Sequence, residues 1–369
     1  MPSFDGFAIE AVCAVMRVGK KEGEAGRGYT RRVARNRGQA SVAASTKPAK
    51  ITGALALLGA ALAWGMSFPA QAAASEVVGH FTFIAAKSAV ACLFMLVLIG
   101  LRRVTARTHQ TAPSGLGETE RAARFGGLRA FFLAHRRVLI GGIVCGLVLF
   151  VADNCQQAGI SSYPPEAAAS GRAGFLTATY VVMVALLARF MGRKLHPAVV
   201  VAVLVCLAGM YLLCVPLDEG FSGVYLGDVI MLVGALFYSF HIIAVGRFAL
   251  EDTLWLSCAQ FFTSALLSAL CAGAVEGATP LDALPAILPI LYVGIFSTGL
   301  GYTLQNIGQR SVDEAPAAIL MSLESVFAAL GGWLLLGERL TGVELVGCAL
   351  VFAAVLLAQL PLFKRARSS

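Results

Sequence analysis

Long apolar runs of nearly uniform length are the feature that most constrains what this chain can fold into. From Ile51 onward these runs recur, each close to the roughly 20 residues that an α-helix needs to cross the hydrocarbon core of a bilayer. Charged or turn-forming residues separate them. The pattern predicts ten transmembrane helices, near residues 51–69, 78–100, 137–158, 167–190, 197–215, 225–246, 253–275, 285–308, 315–336 and 341–361.

The composition excludes the other broad classes. Only 14% of the residues are charged and 58% are apolar, whereas about a quarter of an average soluble domain is charged. The chain is also too hydrophobic for intrinsic disorder. Its nine Cys and five His show neither a metal-ligand spacing nor a C-x-x-C motif, so the cysteines are expected to pack as small apolar side chains. The predicted fold class is all-α integral membrane.

Three basic segments flank or interrupt the predicted helices. Residues 1–50 carry ten Lys and Arg against four acidic residues, with no apolar period, and predict a disordered cytoplasmic tail. An over-extended gene start, with Met16 as the initiator, is the alternative. Residues 101–136 form a basic loop that contains Pro and Gly, and residues 362–369 a basic C-terminus.

A second interpretation of the first apolar run is a cleaved signal peptide. A basic region precedes the run, and Ala70-Gln71-Ala72 follows it as an A-x-A cleavage motif. The run is longer than a typical signal-peptide core, and nine further spans follow it. A retained transmembrane helix is therefore the main prediction.

The distribution of cations predicts the orientation. With the N-terminus inside, the 29 Lys and Arg all fall in cytoplasmic segments except Arg172, Arg339 and the mid-span Lys87. The predicted external loops at 70–77, 159–166, 216–224 and 276–284 contain no Lys or Arg. Both termini are therefore predicted to be cytoplasmic, in a multi-pass protein of the cell (inner) membrane.

The two halves of the chain resemble each other. Residues 192–195 (GRKL) align with residues 337–340 (GERL), and Trp64 aligns with Tyr238. Each half, 51–215 and 225–361, contains five predicted helices. Because five is odd, the two units must enter the membrane from opposite faces, which predicts an inverted-topology repeat with a substrate site near the midplane.

Several motifs, in this order and spacing, resemble the EamA branch of the drug/metabolite transporter superfamily. They include residues 63–68 (AWGMSF), 173–182 (AGFLTATYVV), 297–305 (STGLGYTLQ), 323–328 (LESVFA) and 337–341 (GERLT). Lys87 stands where relatives usually carry Arg, and Ser325 replaces a common Pro. The second half matches better than the first. The resemblance covers about residues 51–361 and implies a membrane carrier.

Lys87 and Glu324 are the two ionisable residues predicted to lie at mid-membrane. A charge there is costly unless it is paired or faces water, so both are candidate functional residues. Lys87 is expected either to attract an anionic substrate or to pair with a buried carboxylate. Glu324 is expected either to bind a coupling proton or to neutralise Lys87. Its counterpart in the first half is the uncharged Thr179.

Other polar and aromatic residues complete the predicted pathway. Asp153 and Gln157 share a face at the predicted outer end of the third helix, where they are expected to line a vestibule or a solvated helix end. Trp64 and Tyr238 are candidates for the wall of a cavity. Four more side chains could form hydrogen bonds at membrane depth: His241, Gln260, Gln305 and Asn306. Their alternative role is simple hydrogen bonding between helices.

These observations predict a secondary-active transporter of a small organic metabolite or drug, an exporter that works by alternating access. An intramembrane enzyme, or a channel or scaffold, is the alternative; no G-x-G-D motif, Ser/His pair or H-E-x-x-H site lies in the spans. The expected partners are the substrate, protons as one candidate coupling ion, and the bilayer, without nucleic acid. A homodimer is left open. No cofactor and no metal are predicted.

Overall fold

A computed structural model describes residues 47–108, 136–164, 167–190, 197–214, 224–248, 252–309 and 320–367. Helices make up nearly all of these residues, and no strand occurs among them. The predicted tail up to residue 46 and most of the predicted 101–136 loop lie outside the described part. We number the helices α1 to α10 in chain order.

The helices have the following bounds. The first half contains α1 (Lys47–Gly65 and Ser67–Ser75), α2 (His80–Thr108), α3 (Arg136–Ser161), α4 (Ala169–Ala178 and Tyr180–Phe190) and α5 (Pro197–Cys214). The second half contains α6 (Leu226–Arg247), α7 (Thr253–Cys271, with a π-helical turn at Ala272–Glu276), α8 (Pro280–Ala286, Ile287–Tyr292, Val293–Gly301 and Tyr302–Gln309), α9 (residues 320–322, Glu324–Gly331 and Gly332–Leu336) and α10 (Gly342–Arg367).

Six of the described helices are long and apolar enough to cross a bilayer. They lie in α1, α2, α3, α6, α7 and α8. Shorter apolar segments occupy α5, α9 and α10, and α4 is divided at Thr179. The chain is therefore a multi-pass helical membrane protein.

Three helix ends differ most from the prediction. Helix α1 ends at Ser75 rather than near residue 69, because Pro69 is the third residue of its second segment, where a missing N–H breaks no bond within that segment. As a result, the A-x-A motif is helical. Helices α2 and α10 continue to Thr108 and Arg367. Their last turns are rich in Arg and Lys, which stabilise a helix C-terminus.

Three helices are interrupted near the middle of the bundle. The interruptions lie at Met66 in α1, Thr179 in α4 and Leu323 in α9, and α8 is π-helical over Val293–Gly301. Beside each interruption a hydroxyl group donates to the carbonyl oxygen three residues earlier: Ser67 to Trp64 (2.6 Å), Thr179 to Leu176 (2.6 Å) and Ser325 to Ser322 (2.9 Å). Such local hydrogen bonds compete with the regular helical pattern and account for the breaks.

Helices at corresponding positions of the two halves pack against each other and run antiparallel. The start of α2 meets the end of α7, where Glu276 accepts from the backbone N–H of Thr82 (3.0 Å). The opposite ends meet through Arg102 and Asp252 (2.7 Å). Helices α4 and α9 are also antiparallel, because Gly171 lies next to Ala329, whereas the later Gly174 lies next to the earlier Ser325.

Helices α5 and α10 form the third such pair, because Ala202 shares an apolar cluster with Ala354, whereas the later Gly209 lies next to the earlier Gly347. Gly209 packs so closely on α10 that a Cβ atom there would lie 2.8 Å from the carbonyl oxygen of Gly347. Close backbone approach at small residues is the usual way in which helices associate in lipid. Other large helix contacts also join the two halves: α3 with α6 and α7, α1 with α8 and α9, and α2 with α8.

The Arg102–Asp252 pair leads to a first prediction. Burial alone would raise the pKa of Asp252, but hydrogen bonds from Arg102 and from the backbone N–H groups of Leu254 and Trp255, together with the Arg102 charge, hold it below its usual value. A carboxylate whose pKa is lower in the folded than in the unfolded chain stabilises the fold at pH values above its unfolded pKa of about 3.9. This stabilisation is lost as the pH falls through the pKa of the folded state.

Because the pair is partly exposed, we expect Asp252→Asn to cost less than about 1 kcal/mol of unfolding free energy at pH 7. The difference from the native chain should shrink further below about pH 4. Thermal unfolding in detergent at several pH values measures this. A difference that grows toward acid pH would contradict the assignment.

Candidate functional site

A buried ion pair lies at the centre of the bundle. The Lys87 ammonium on α2 is 2.8 Å from Asp153 Oδ2 on α3, and the two residues are 5% and 4% exposed. Helix α8 packs against the backbone of α2 at this position, since a Cβ atom at Gly294 would lie 2.8 Å from the Lys87 carbonyl oxygen. Of the two roles considered for Lys87, the one observed in the structure is pairing with a buried carboxylate.

Two further contacts extend the pair to α4 and α6. The Tyr238 hydroxyl on α6 lies 2.6 Å from Asp153 Oδ1 and 3.2 Å from Gln156 Oε1. The Gln156 amide group in turn donates to the Thr177 hydroxyl on α4 (3.0 Å). Asp153 therefore has an ionic partner on one oxygen and a phenol on the other, which stabilises its charge in a site with little water.

Glu324 is the second buried carboxylate at this depth. It is 5% exposed and follows the interruption of α9. The Tyr180 side chain lies beside the carboxylate, but Oε1 has no hydrogen-bond partner. An unpartnered carboxylate oxygen in a buried site is costly and marks a candidate for proton or ligand binding.

The location of Glu324 corrects one sequence interpretation. Glu324 does not neutralise Lys87, because that ammonium pairs with Asp153 instead. Thr179, its counterpart, is buried at the matching interruption of α4, where its hydroxyl donates to the Leu176 carbonyl. A second interpretation is also wrong: Asp153 lies buried inside the bundle rather than at a solvated helix end.

An aromatic cluster lies beside the carboxylates. The Trp64 indole donates to the carbonyl oxygen of Ser297 in the π-helical part of α8 (3.0 Å). Its ring meets the Tyr302 ring edge-on at 5.5 Å, and Tyr302 meets His241 at 6.3 Å. His241 Nε2 is 3.2 Å from Gln260 Oε1. Tyr302 packs on the same apolar cluster as Tyr238, whose hydroxyl donates to Asp153.

The remaining predicted residues are Gln157, Gln305 and Asn306. Gln157 is fully buried, and its amide group donates to the backbone carbonyl of Gln71 in α1 (2.9 Å). Gln305 is half-buried on α8. Asn306 follows it on the same helix, and its side chain lies outside the described part. Neither Gln157 nor Gln305 contacts Lys87 or Asp153 through a described hydrogen bond or ion pair.

Sequence reasoning missed a buried network at the end of the bundle where α4, α6 and α10 begin. Arg172 on α4, counted above as an external cation, is 3% exposed. Its guanidinium group donates to Asp228 on α6 (2.8 and 3.3 Å) and to Glu344 on α10. It also stacks over the Tyr225 ring (4.9 Å), while Tyr163 donates to Asp228 (2.9 Å). The isolated Arg172 in an apolar context was the available signal.

Taken together, the fold and site define a class of protein: a multi-pass helical membrane protein with a buried ion pair, Lys87–Asp153, and a further buried carboxylate, Glu324, beside a helix interruption, as in membrane transporters. The EamA-like transporter family matches residues 225–360, and an uncharacterized transporter of Archaeoglobus fulgidus is 27% identical over 303 residues, 81% of this chain and 83% of that protein. The chain belongs to the EamA-like transporter family, within the drug/metabolite transporter superfamily.

Two shorter matches are also to transport proteins, and one solved structure shares the fold. The threonine/homoserine exporter RhtA of Salmonella typhimurium is 38% identical over 72 residues, 19% of this chain and 24% of the exporter. The putative permease-like protein YdzE of Bacillus subtilis is 31% identical over 67 residues, 18% of this chain and 86% of YdzE. A crystal structure with 22% identity has the same fold (TM-score 0.54), over 86% of this chain and 99% of that one.

Proposed function

We propose that this protein is a secondary-active transporter that exports a small organic metabolite by alternating access around the Lys87–Asp153 site. The observation that carries the proposal is a charged, buried cluster built from both halves of the chain. Lys87 and Asp153 come from the first half, whereas Tyr238 and Glu324 come from the second. A site shared between two bundles changes its exposure when the bundles rock against each other.

The scaffold of this transporter is two inverted repeats of five helices, 51–215 and 225–361. The antiparallel packing of α2 on α7, α4 on α9 and α5 on α10 supports this arrangement. In an inverted repeat, corresponding helices must run in opposite directions. The helix contacts support it as well. If each helix of one half is replaced by its counterpart in the other half, the α3–α6 contact corresponds to α8–α1, and the α3–α7 contact corresponds to α8–α2. All four of these contacts are large.

In this proposal, both termini lie in the cytoplasm and the protein lies in the cell membrane. The cation distribution described above supports this orientation. Arg172, one of the two cations on the external side, is also neutralised by Asp228 and Glu344 inside the protein. It therefore adds little net positive charge to that side.

With this orientation, the Arg172 network closes the external end of the site. It joins α4 of the first half to α6 and α10 of the second half. External opening would separate Arg172 from at least one of its two carboxylates, so the network acts as an external gate. Glu324, with its unpartnered oxygen, is the proposed site of proton coupling.

The gate can be tested with Arg172→Gln. A buried Thr177→Cys thiol on α4, in a chain without other cysteines, is expected to react several times faster with a membrane-impermeant reagent when Arg172 is replaced. Arg339→Gln, which removes the other external cation but breaks no described ion pair, serves as the matched control. Equal labelling rates in all three backgrounds would remove the gate.

Small zwitterionic or neutral-polar solutes are the first substrates to test. A site that contains a cation, a carboxylate and several hydrogen-bond donors suits a molecule with both kinds of charge. The partial match to a threonine/homoserine exporter supports starting with neutral amino acids.

Flux measurements in proteoliposomes test the proposed function. We expect saturable efflux of one solute from a panel of amino acids and other small metabolites, stimulated by the same solute on the opposite side. Such countertransport distinguishes a carrier from a channel. Non-saturable flux without countertransport, across a panel that includes threonine and homoserine, would contradict the proposal.

A further inference from the structure

Two thiols from different halves of the chain lie in contact inside the bundle. Cys92 Sγ on α2 is 3.7 Å from Cys258 Sγ on α7, and it also lies 3.6 Å from the carbonyl oxygen of Cys258. Both residues are buried. Among the described thiols, this is the pair within hydrogen-bonding distance of each other. The sequence, in which the two residues are far apart, gave no sign of it.

The surroundings of this pair decide which ligand it suits. Apolar residues enclose it, among them Met95, Leu149 and Phe261. Within the described part of the chain, no group of three or more His, Cys, Asp and Glu could hold a metal ion. A tetrahedral ion, whose ligand sulfurs lie about 3.8 Å apart, would find two ligands of the four that it requires.

The net charge of the bound complex further limits which ligands suit the two thiols. A monovalent soft ion held by two thiolates leaves one net negative charge, which is costly in an apolar site. A monosubstituted trivalent arsenical is different, because its pyramidal arsenic carries one organic group, binds two sulfur ligands and gives a neutral product. Its organic group is also compatible with the apolar surroundings.

We propose that Cys92 and Cys258 form a dithiol site for monosubstituted trivalent arsenicals, which link α2 to α7. In the reaction with an arsenoxide R–As=O, two S–H bonds and the arsenic–oxygen bond break and two S–As bonds form. The oxygen leaves as water with both thiol protons, and no atom is oxidised or reduced. Because α2 and α7 belong to different halves, the link holds the halves together and stops transport, an effect that rests on the proposed function.

Binding is tested by intact mass spectrometry of the full chain with one equivalent of phenylarsine oxide. We expect one adduct that a dithiol reagent removes and a monothiol reagent does not. Cys92→Ser and Cys258→Ser should each lose the adduct, whereas Cys145→Ser, at a buried thiol on α3 that contacts no other described thiol, should retain it. The absence of an adduct, or an adduct that survives both replacements together, would overturn the site.

Inhibition is tested separately in proteoliposomes. Phenylarsine oxide should reduce flux by about tenfold or more in the native chain and leave the Cys92→Ser/Cys258→Ser chain unaffected, because a covalent link between moving bundles blocks the cycle. An adduct without inhibition would overturn the link between the halves. Absence of flux in untreated protein would instead count against the proposed function, since the mass measurement does not depend on transport.

Discussion

Replacement of Asp153 with Asn is expected to destabilise the protein by about 3–5 kcal/mol and to abolish transport. The substitution keeps the size of the side chain but leaves the Lys87 ammonium buried without a counter-charge, and breaking a buried pair from one side has a cost of this order. It also weakens the hydrogen bond of Tyr238, which ties α6 to the same carboxylate. Thermal unfolding in detergent and flux in proteoliposomes measure the two effects.

A double substitution separates charge from shape. Lys87→Met with Asp153→Asn removes both charges, so most of the lost stability should return while flux stays absent. Asp252→Asn provides the matched control. It is also an Asp-to-Asn replacement, but it breaks a partly exposed ion pair in which the Arg102 side chain is about half exposed. If Asp153→Asn cost no more than Asp252→Asn, Lys87 and Asp153 would not form the buried pair described here.

Replacement of Glu324 with Gln is expected to reduce gradient-driven flux by about tenfold or more while leaving solute exchange active. Gln preserves the size of the side chain and its contact with Tyr180, but it cannot take up and release a proton. A carrier that has lost its coupling site still exchanges substrate across the membrane. Paired measurements of flux driven by a pH gradient and of countertransport in the same liposomes separate the two functions.

The control for Glu324→Gln is Glu76→Gln. Glu76 is an exposed carboxylate at the end of α1, so its replacement should change neither measurement. If Glu324→Gln retained full gradient-driven flux, the proposed coupling role would be wrong. Loss of exchange as well as gradient-driven flux would assign Glu324 to substrate binding instead.

The positions of the helices could be predicted because bilayer thickness fixes the length of an apolar span. Lys87 and Glu324 were recognisable as functional candidates for the same reason, since a charge in the middle of such a span has no routine explanation. The better match of the second half was confirmed by the family assignment, which covers residues 225–360. These predictions use only the order of residues along the chain.

Partners across helices could not be predicted in the same way. Asp153 precedes several amides, and a cluster of polar residues at the end of an apolar run looks like a solvated helix end. From its position in the sequence, Arg172 was counted as a cation near the external loops. Its two carboxylate partners could not be recognised, because they lie on helices that come much later in the chain. The Cys92–Cys258 contact is equally long-range. Sequence spacing carries little information on which helices meet.

The account depends most on the opposite orientation of the two halves, and cysteine accessibility measures that orientation directly. Val77→Cys follows the first helix of the first half, and Arg247→Cys ends the first helix of the second half; both native side chains are exposed. In intact cells, a membrane-impermeant thiol reagent should label Val77→Cys, and it should label Arg247→Cys only after the membrane is permeabilised. Labelling of both positions from the same side would show that the halves run in parallel and would contradict the inverted repeat.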